Sequence, residues 1–204
     1  MKLKFAVVGS LAAASLALSA CAGSSVFGEN FARDWNGVSA TLTTYNQTGQ
    51  QMDRVHGISF RVSRDTRFNT QNIDSDGKVT VVPGEVLLFS IGKSHISHVG
   101  SSACLVQDGV TKIADAKTFL EADNKDPSNP MLNDLREKFR NLWHGKAKTV
   151  MIRSQNGDPI VVYGGNEVEI FGTDIPKSTQ FRIDKKYVWC YRVDYTIYDS
   201  DLLN

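Results

Sequence analysis

The chain has 204 residues, with 23 Lys and Arg against 22 Asp and Glu, a formal net charge of +1 and 41% hydrophobic residues. So even a balance excludes the basic stripe of a nucleic-acid binder and a polybasic grip on anionic lipid. The length suffices to bury a full core in one domain.

Lys2 and Lys4 open the chain, and residues 5–18 form an apolar run that falls short of the ~20 residues a membrane-spanning helix needs. A positive start, a short apolar core and small residues before a break have the pattern of a secretion signal. The break reads Leu18-Ser19-Ala20-Cys21, which resembles the lipobox of bacterial lipoproteins. There the cysteine is diacylated, with chains of the palmitate kind, and becomes the first residue. The alternative is an ordinary signal peptide with Cys21 incidental. Acyl chains contribute ~0.8 kcal/mol per buried CH₂, so two on one residue hold a domain firmly at a membrane face. The expected division is a signal peptide over 1–20, a lipidated tether over 21–30 and a single globular domain over 31–204. Cleavage after Ala20 leaves 184 of the 204 residues and removes Lys2 and Lys4, so 21 basic side chains face 22 acidic ones.

Strands are expected over 38–45, as a polar edge over 50–55, and again where Ile58, Phe60 and Val62 alternate with Ser59, Arg61 and Ser63. Residues 64–78 read as a polar loop ending in the turn Asp74-Ser75-Asp76-Gly77. Further strands follow over 79–82, 85–91, 95–99 and 102–106. The continuous apolar run over 86–89 suggests a strand covered on both faces. Helical spacing of Ile113, Ala116 and Leu120 predicts a helix over 111–122. A second, over 131–143, groups Leu132, Leu135, Phe139, Leu142 and Trp143 on one face. Pro130 suits its first turn and Gly145 its end. Strands resume over 149–154, 159–163, 167–171 and 179–183, with Asn156-Gly157 as a hairpin turn. In the last run, over 186–198, Tyr187, Trp189, Tyr191, Val193, Tyr195 and Ile197 alternate with smaller or polar residues. That pattern predicts one long central strand. The expected class is therefore α+β: a mostly antiparallel β-sheet with a two-helix insert between N- and C-terminal strand groups.

Candidate chemistry is sparse. Cys104 and Cys190 could form a disulfide in an oxidising compartment or remain two buried thiols; spacing does not decide. His95 and His98 lie three apart in a predicted strand, hence on opposite faces, with no further ligand nearby for a metal. Asp74 and Asp76 resemble the start of a calcium loop, but Gly77 falls at the wrong position. Serines 94, 97, 101 and 102 beside the histidines invite a hydrolase reading without a nucleophile elbow to support it. Arg192 and Asp194, on one strand face, with Arg153 on a possible neighbour strand, complete a candidate polar patch with His95 and His98. Buried charges of this kind are commonly paired structurally. No catalytic residue, metal ligand or cofactor is assigned.

Three stretches, His98 to Ser102, Val150 to Gly157, and Asp194 to Asp199 ahead of Leu202-Leu203, give the chain from about Phe31 onward a likeness. It resembles a family of small Gram-positive surface lipoproteins whose domain has no known function. The resemblance implies a lipid-anchored envelope protein on the extracytoplasmic face of the cell membrane, and brings no substrate or catalytic residue. Two readings stay open. One is a non-enzymatic module that binds an envelope ligand or protein, favoured by the lack of a complete catalytic constellation. The other is an envelope hydrolase using a Ser/His site in residues 94–102. A purely structural wall role would differ from the first by lacking a concave pocket.

Overall fold

The computed structural model describes residues 34–115 and 147–203. Strands β1 (Ser39–Tyr45), β2 (Gln51–Ile58), β8 (Ser102–Gln107), β12 (Val168–Gly172), β13 (Ser178–Ile183) and β14 (Lys186–Tyr191) form a six-stranded sheet in the order β12-β13-β14-β8-β1-β2. A four-stranded sheet, β15-β10-β11-β9, comprises β9 (Lys112–Asp115), β10 (Lys148–Arg153), β11 (Pro159–Gly165) and β15 (Asp194–Asp199). A three-stranded sheet has β6 (Leu87–Ile91) between β3 (Phe60–Arg64) and β7 (Ser94–His98), and β4 (Thr70–Ile73) pairs with β5 (Val79–Val82) as a separate hairpin. Neighbours in all four sheets run antiparallel.

The period-two alternation decides the layering, because side chains of a strand point alternately to its two faces. On one face of the six-stranded sheet Leu42, Leu105, Trp189 and Tyr191 pack with Phe60, Leu87 and Phe89 of the three-stranded sheet. On the other, Cys104, Phe181, Val188 and Cys190 pack with Val150, Ile152 and Tyr163 of the four-stranded sheet. The large sheet is thus the middle layer of three, and its central strands β14 and β8 are buried from both sides. Trp189 is fully buried, edge-on to Phe89 at 5.8 Å between ring centroids, as apolar aromatic surface of that size requires.

Two expectations are corrected. The α+β class with a two-helix insert does not hold: the described residues contain no α-helical element and form antiparallel β-sheets. The helix expected over 111–122 begins as β9, which pairs with Val161, Val162 and Tyr163 of β11. A single spacing from Ile113 onward could not outweigh the ladder bonds that an open strand edge offers. The rest of that segment, and the helix expected over 131–143, lie outside the described residues.

The second correction concerns the last apolar run. It is two strands, with β14 in the six-stranded sheet and β15 paired to β10 in the four-stranded one. The break is Arg192, whose φ is +51. A non-glycine residue in that region costs ~1–3 kcal/mol and needs its surroundings to hold it. They do. Arg192 N donates to Lys177 O at 2.7 Å, its carbonyl accepts from Ser102 Oγ at 2.6 Å, and its guanidinium reaches Gly100 O at 3.0 Å and Glu85 Oε2 at 2.7 Å. Tyr195 is consequently 38% exposed instead of extending the core face of Trp189.

Candidate functional site

Where β1 and β2 of the six-stranded sheet stand apart from β9 and β11 of the four-stranded one, the described side chains do not close the two layers. A cleft of about 550 Å³ opens there, inside the ~300–1,000 Å³ range of small-molecule sites. Alternation along β1 sends Thr41, Thr43 and Tyr45 into it while Ala40 and Leu42 face the opposite core. Arg54 of β2 stands directly across from Thr43 in the ladder and also lines the cleft. The facing wall is Ile160, Val161 and Tyr163 of β11 with Lys112 and Asp115 of β9.

Two phenols lie in this cleft. Burial pushes the Tyr45 hydroxyl up to about 12, with Asp115 adding to the rise and a Thr43 hydrogen bond and Arg54 opposing it. Tyr163 is likewise raised well above the ordinary phenol value, by burial and then by Tyr45. Both stay neutral at physiological pH, each able to donate and accept a hydrogen bond. Lys112 Nζ is bonded to Asp115 Oδ2 at 2.9 Å. At the rim Asp108 accepts from Ser39 Oγ at 2.6 Å and from His56 Nε2 at 3.0 Å, and these two partners hold its carboxyl below the usual carboxylate range.

Ser39, His56 and Asp108 have the composition of a catalytic triad but not its wiring. A triad places the acid on Nδ1 and the serine on Nε2; here both partners meet Nε2, which also lies 3.1 Å from Ser39 Oγ. The carboxylate only accepts, so Nε2 carries the proton and cannot take the one from Ser39, which is directed at Asp108.

The residues singled out from sequence scatter. His95 is exposed on β7, its Nδ1 3.0 Å from Ser90 Oγ, while His98 points to the opposite side of the strand and donates from Nε2 to Ser101 O at 2.9 Å. Among the described residues neither ring is paired with a carboxylate, so segment 94–102 holds no acid–base–nucleophile relay. His98 and Arg192 do come together around Tyr191, with ring centroids 6.1 Å apart for the first and the guanidinium 5.7 Å over the ring for the second. Arg192 pairs with Glu85 and not with Asp194, which is exposed opposite Arg153 at the start of β15. Arg153 instead donates to Thr196 Oγ1 at 3.0 Å. Cys104 and Cys190 face each other across β8 and β14 with Cα atoms 4.1 Å apart, joined as a disulfide. Cys21 lies outside the described residues. No cluster of three His, Cys, Asp or Glu side chains is placed to hold a metal among the described residues.

Sequence reading missed the cleft because its walls are distant in the chain. Arg54 reaches Thr43 through the β1–β2 hairpin, but Asp115 and Tyr163 come to Tyr45 through pairings distant in the chain, of β1 with β8 and of β9 with β11. The one local signal was Tyr45 closing the polar face of β1 after Thr41 and Thr43. Among known proteins, a family model described as a domain of unknown function, DUF5052, matches residues 3–203. No curated protein and no solved structure matches the chain.

Proposed function

This chain belongs to the DUF5052 family, and we propose that it is a lipid-anchored protein of a Gram-positive cell envelope whose domain binds a small polar ligand without turning it over. The anchor rests on Lys2 and Lys4, the apolar run over 5–18 and Leu18-Ser19-Ala20-Cys21, a pattern of export followed by acylation. The observation that carries the binding role is the cleft walled by Thr43, Tyr45, Arg54 and Tyr163. It is concave, mixes apolar walls with convergent polar groups, and among the described residues is lined by no histidine free to act as base.

The test is to fill the cleft. Thr41 lies on its floor and is only half-buried, so Thr41→Trp should occupy the space while leaving the β1–β8 ladder intact. Ligand-observed NMR with a library of polar fragments should find binders to the natural chain that are lost in the variant, with unchanged far-UV circular dichroism. Binders that persist in Thr41→Trp, or a natural chain that takes none, would end the proposal.

A further inference from the structure

The balance of groups in the cleft says what kind of ligand it suits, and this step rests on the reading of the cleft as the binding site. Among the described residues that line it, two bases, Arg54 and Lys112, stand beside two acids, Asp108 and Asp115. Lys112 is already bonded to Asp115, and Asp108 to Ser39 and His56. An anionic ligand would meet two carboxylates and a cationic one two bases, so a net charge of either sign finds a like charge in place.

An apolar ligand fares no better. Tyr45, Thr43, Gln51, Gln107 and Arg54 line the space, and covering them with hydrocarbon would strand donors and acceptors at ~1–3 kcal/mol each. Arg54 has no carboxylate partner within salt-bridge distance among the described residues, which leaves its five donors for a ligand. On the facing wall Ile160 and Val161 supply apolar surface. The site therefore asks for an uncharged molecule with hydroxyls that both donate and accept on one side and a C–H surface on the other, of a size that fits about 550 Å³.

We infer that the cleft between the six- and four-stranded sheets takes a neutral saccharide of one or two rings, its hydroxyls bonded by Tyr45, Arg54, the Gln51 amide and the NH2 of Gln107, whose amide oxygen already accepts from Tyr187 N, and its C–H face laid on Ile160 and Val161. The chemistry of a sugar ring matches each element: amphipathic faces, no charge, and hydroxyls that satisfy a mixed lining where a pure acceptor would not.

The test uses the purified full chain in a detergent without a sugar headgroup. Saturation-transfer NMR and calorimetry would be run with glucose, N-acetylglucosamine and their β-1,4 disaccharides, together with glucuronate and glucosamine as anionic and cationic isosteres. At least one neutral sugar should bind saturably below ~10 mM, with its charged isosteres about tenfold weaker. Tyr45→Phe, which keeps the ring and removes the hydroxyl, should weaken binding about tenfold, and Thr41→Trp should abolish it. A charged isostere that binds as well or better, and is lost in Thr41→Trp, overturns the saccharide assignment and leaves the cleft standing. A neutral sugar that still binds Thr41→Trp overturns the cleft itself. Absence of binding by every neutral sugar overturns the inference.

Discussion

Removing the Cys104–Cys190 bond is the perturbation whose size follows most directly from the fold. The two residues are register partners in the central pair β8 and β14, and the bond closes a loop with a sequence separation of 86. In the chain-entropy relation a loop of that length costs the unfolded state ~15 cal/mol/K, which is about 4–5 kcal/mol at 25 °C. Both sulfurs are fully buried against Val150, Ile152 and Phe181, so the reduced chain keeps its apolar packing and loses chiefly the constraint on its unfolded ensemble. Urea unfolding of the oxidised and dithiothreitol-reduced protein, and of the double variant Cys104→Ala, Cys190→Ala, measures the difference. For an m-value of ~2 kcal/mol/M the midpoint should fall by ~2 M. A loss under ~1 kcal/mol, or free thiols found at both Cys104 and Cys190 in the unfolded, unreduced protein, would overturn this expectation. The second result would also remove a reason for placing the folded domain in an oxidising compartment.

Alkaline pH should destabilise the protein through the cleft. The fold favours the protonated Tyr45 phenol, so its contribution is full below the ordinary phenol value near 10 and is lost as pH rises through about 12. The two-unit rise corresponds to ~2–3 kcal/mol, and Tyr45→Phe should flatten the fall in unfolding free energy between pH 10 and 12; an unchanged slope would count against the burial of this phenol. Gly49→Ala should cost ~2 kcal/mol or more in thermal or urea melts, because φ is +75 and the added Cβ would sit 2.6 Å from Pro159 O. A loss within experimental error would show that the turn can move away from β11. Arg192→Lys should destabilise by ~1–3 kcal/mol, since an ammonium cannot span Gly100 O and Glu85 together as the guanidinium fork does. Stability equal to the natural chain would mean that the backbone bonds alone hold the bend.

Local chemistry was readable wherever a turn demanded it. Gly157 has φ +86 between β10 and β11, at the turn that Asn156-Gly157 marks in the sequence. The strand centred on Trp189 was readable too, because only a doubly covered strand can bury so many rings. Its end was not. Alternation runs on unbroken from Tyr191 to Val193 and Tyr195, and nothing in those residue types announces that Arg192 will be caught left-handed by Lys177, Ser102 and Glu85 from elsewhere in the chain. Residues 64–78, read as a loop, contain β4, which has no buried face to leave a pattern and is paired only with β5. The candidate site was hidden for the same reason as the bend. Tyr45 and Tyr163 approach across two sheets, and an apolar alternation says which residues face inward without saying which inward faces fail to meet.

Whether this domain is moored outside the cytoplasm by Cys21 is tested most directly by mass spectrometry of the N-terminal peptide of the protein recovered from fractionated cells. The account predicts a membrane-bound chain that begins at Cys21 and carries the mass of two acyl chains, and a Cys21→Ala variant that is released or left unprocessed. A cytosolic chain that retains Met1 to Ala20, or a membrane form whose Cys21 bears no lipid, would contradict it.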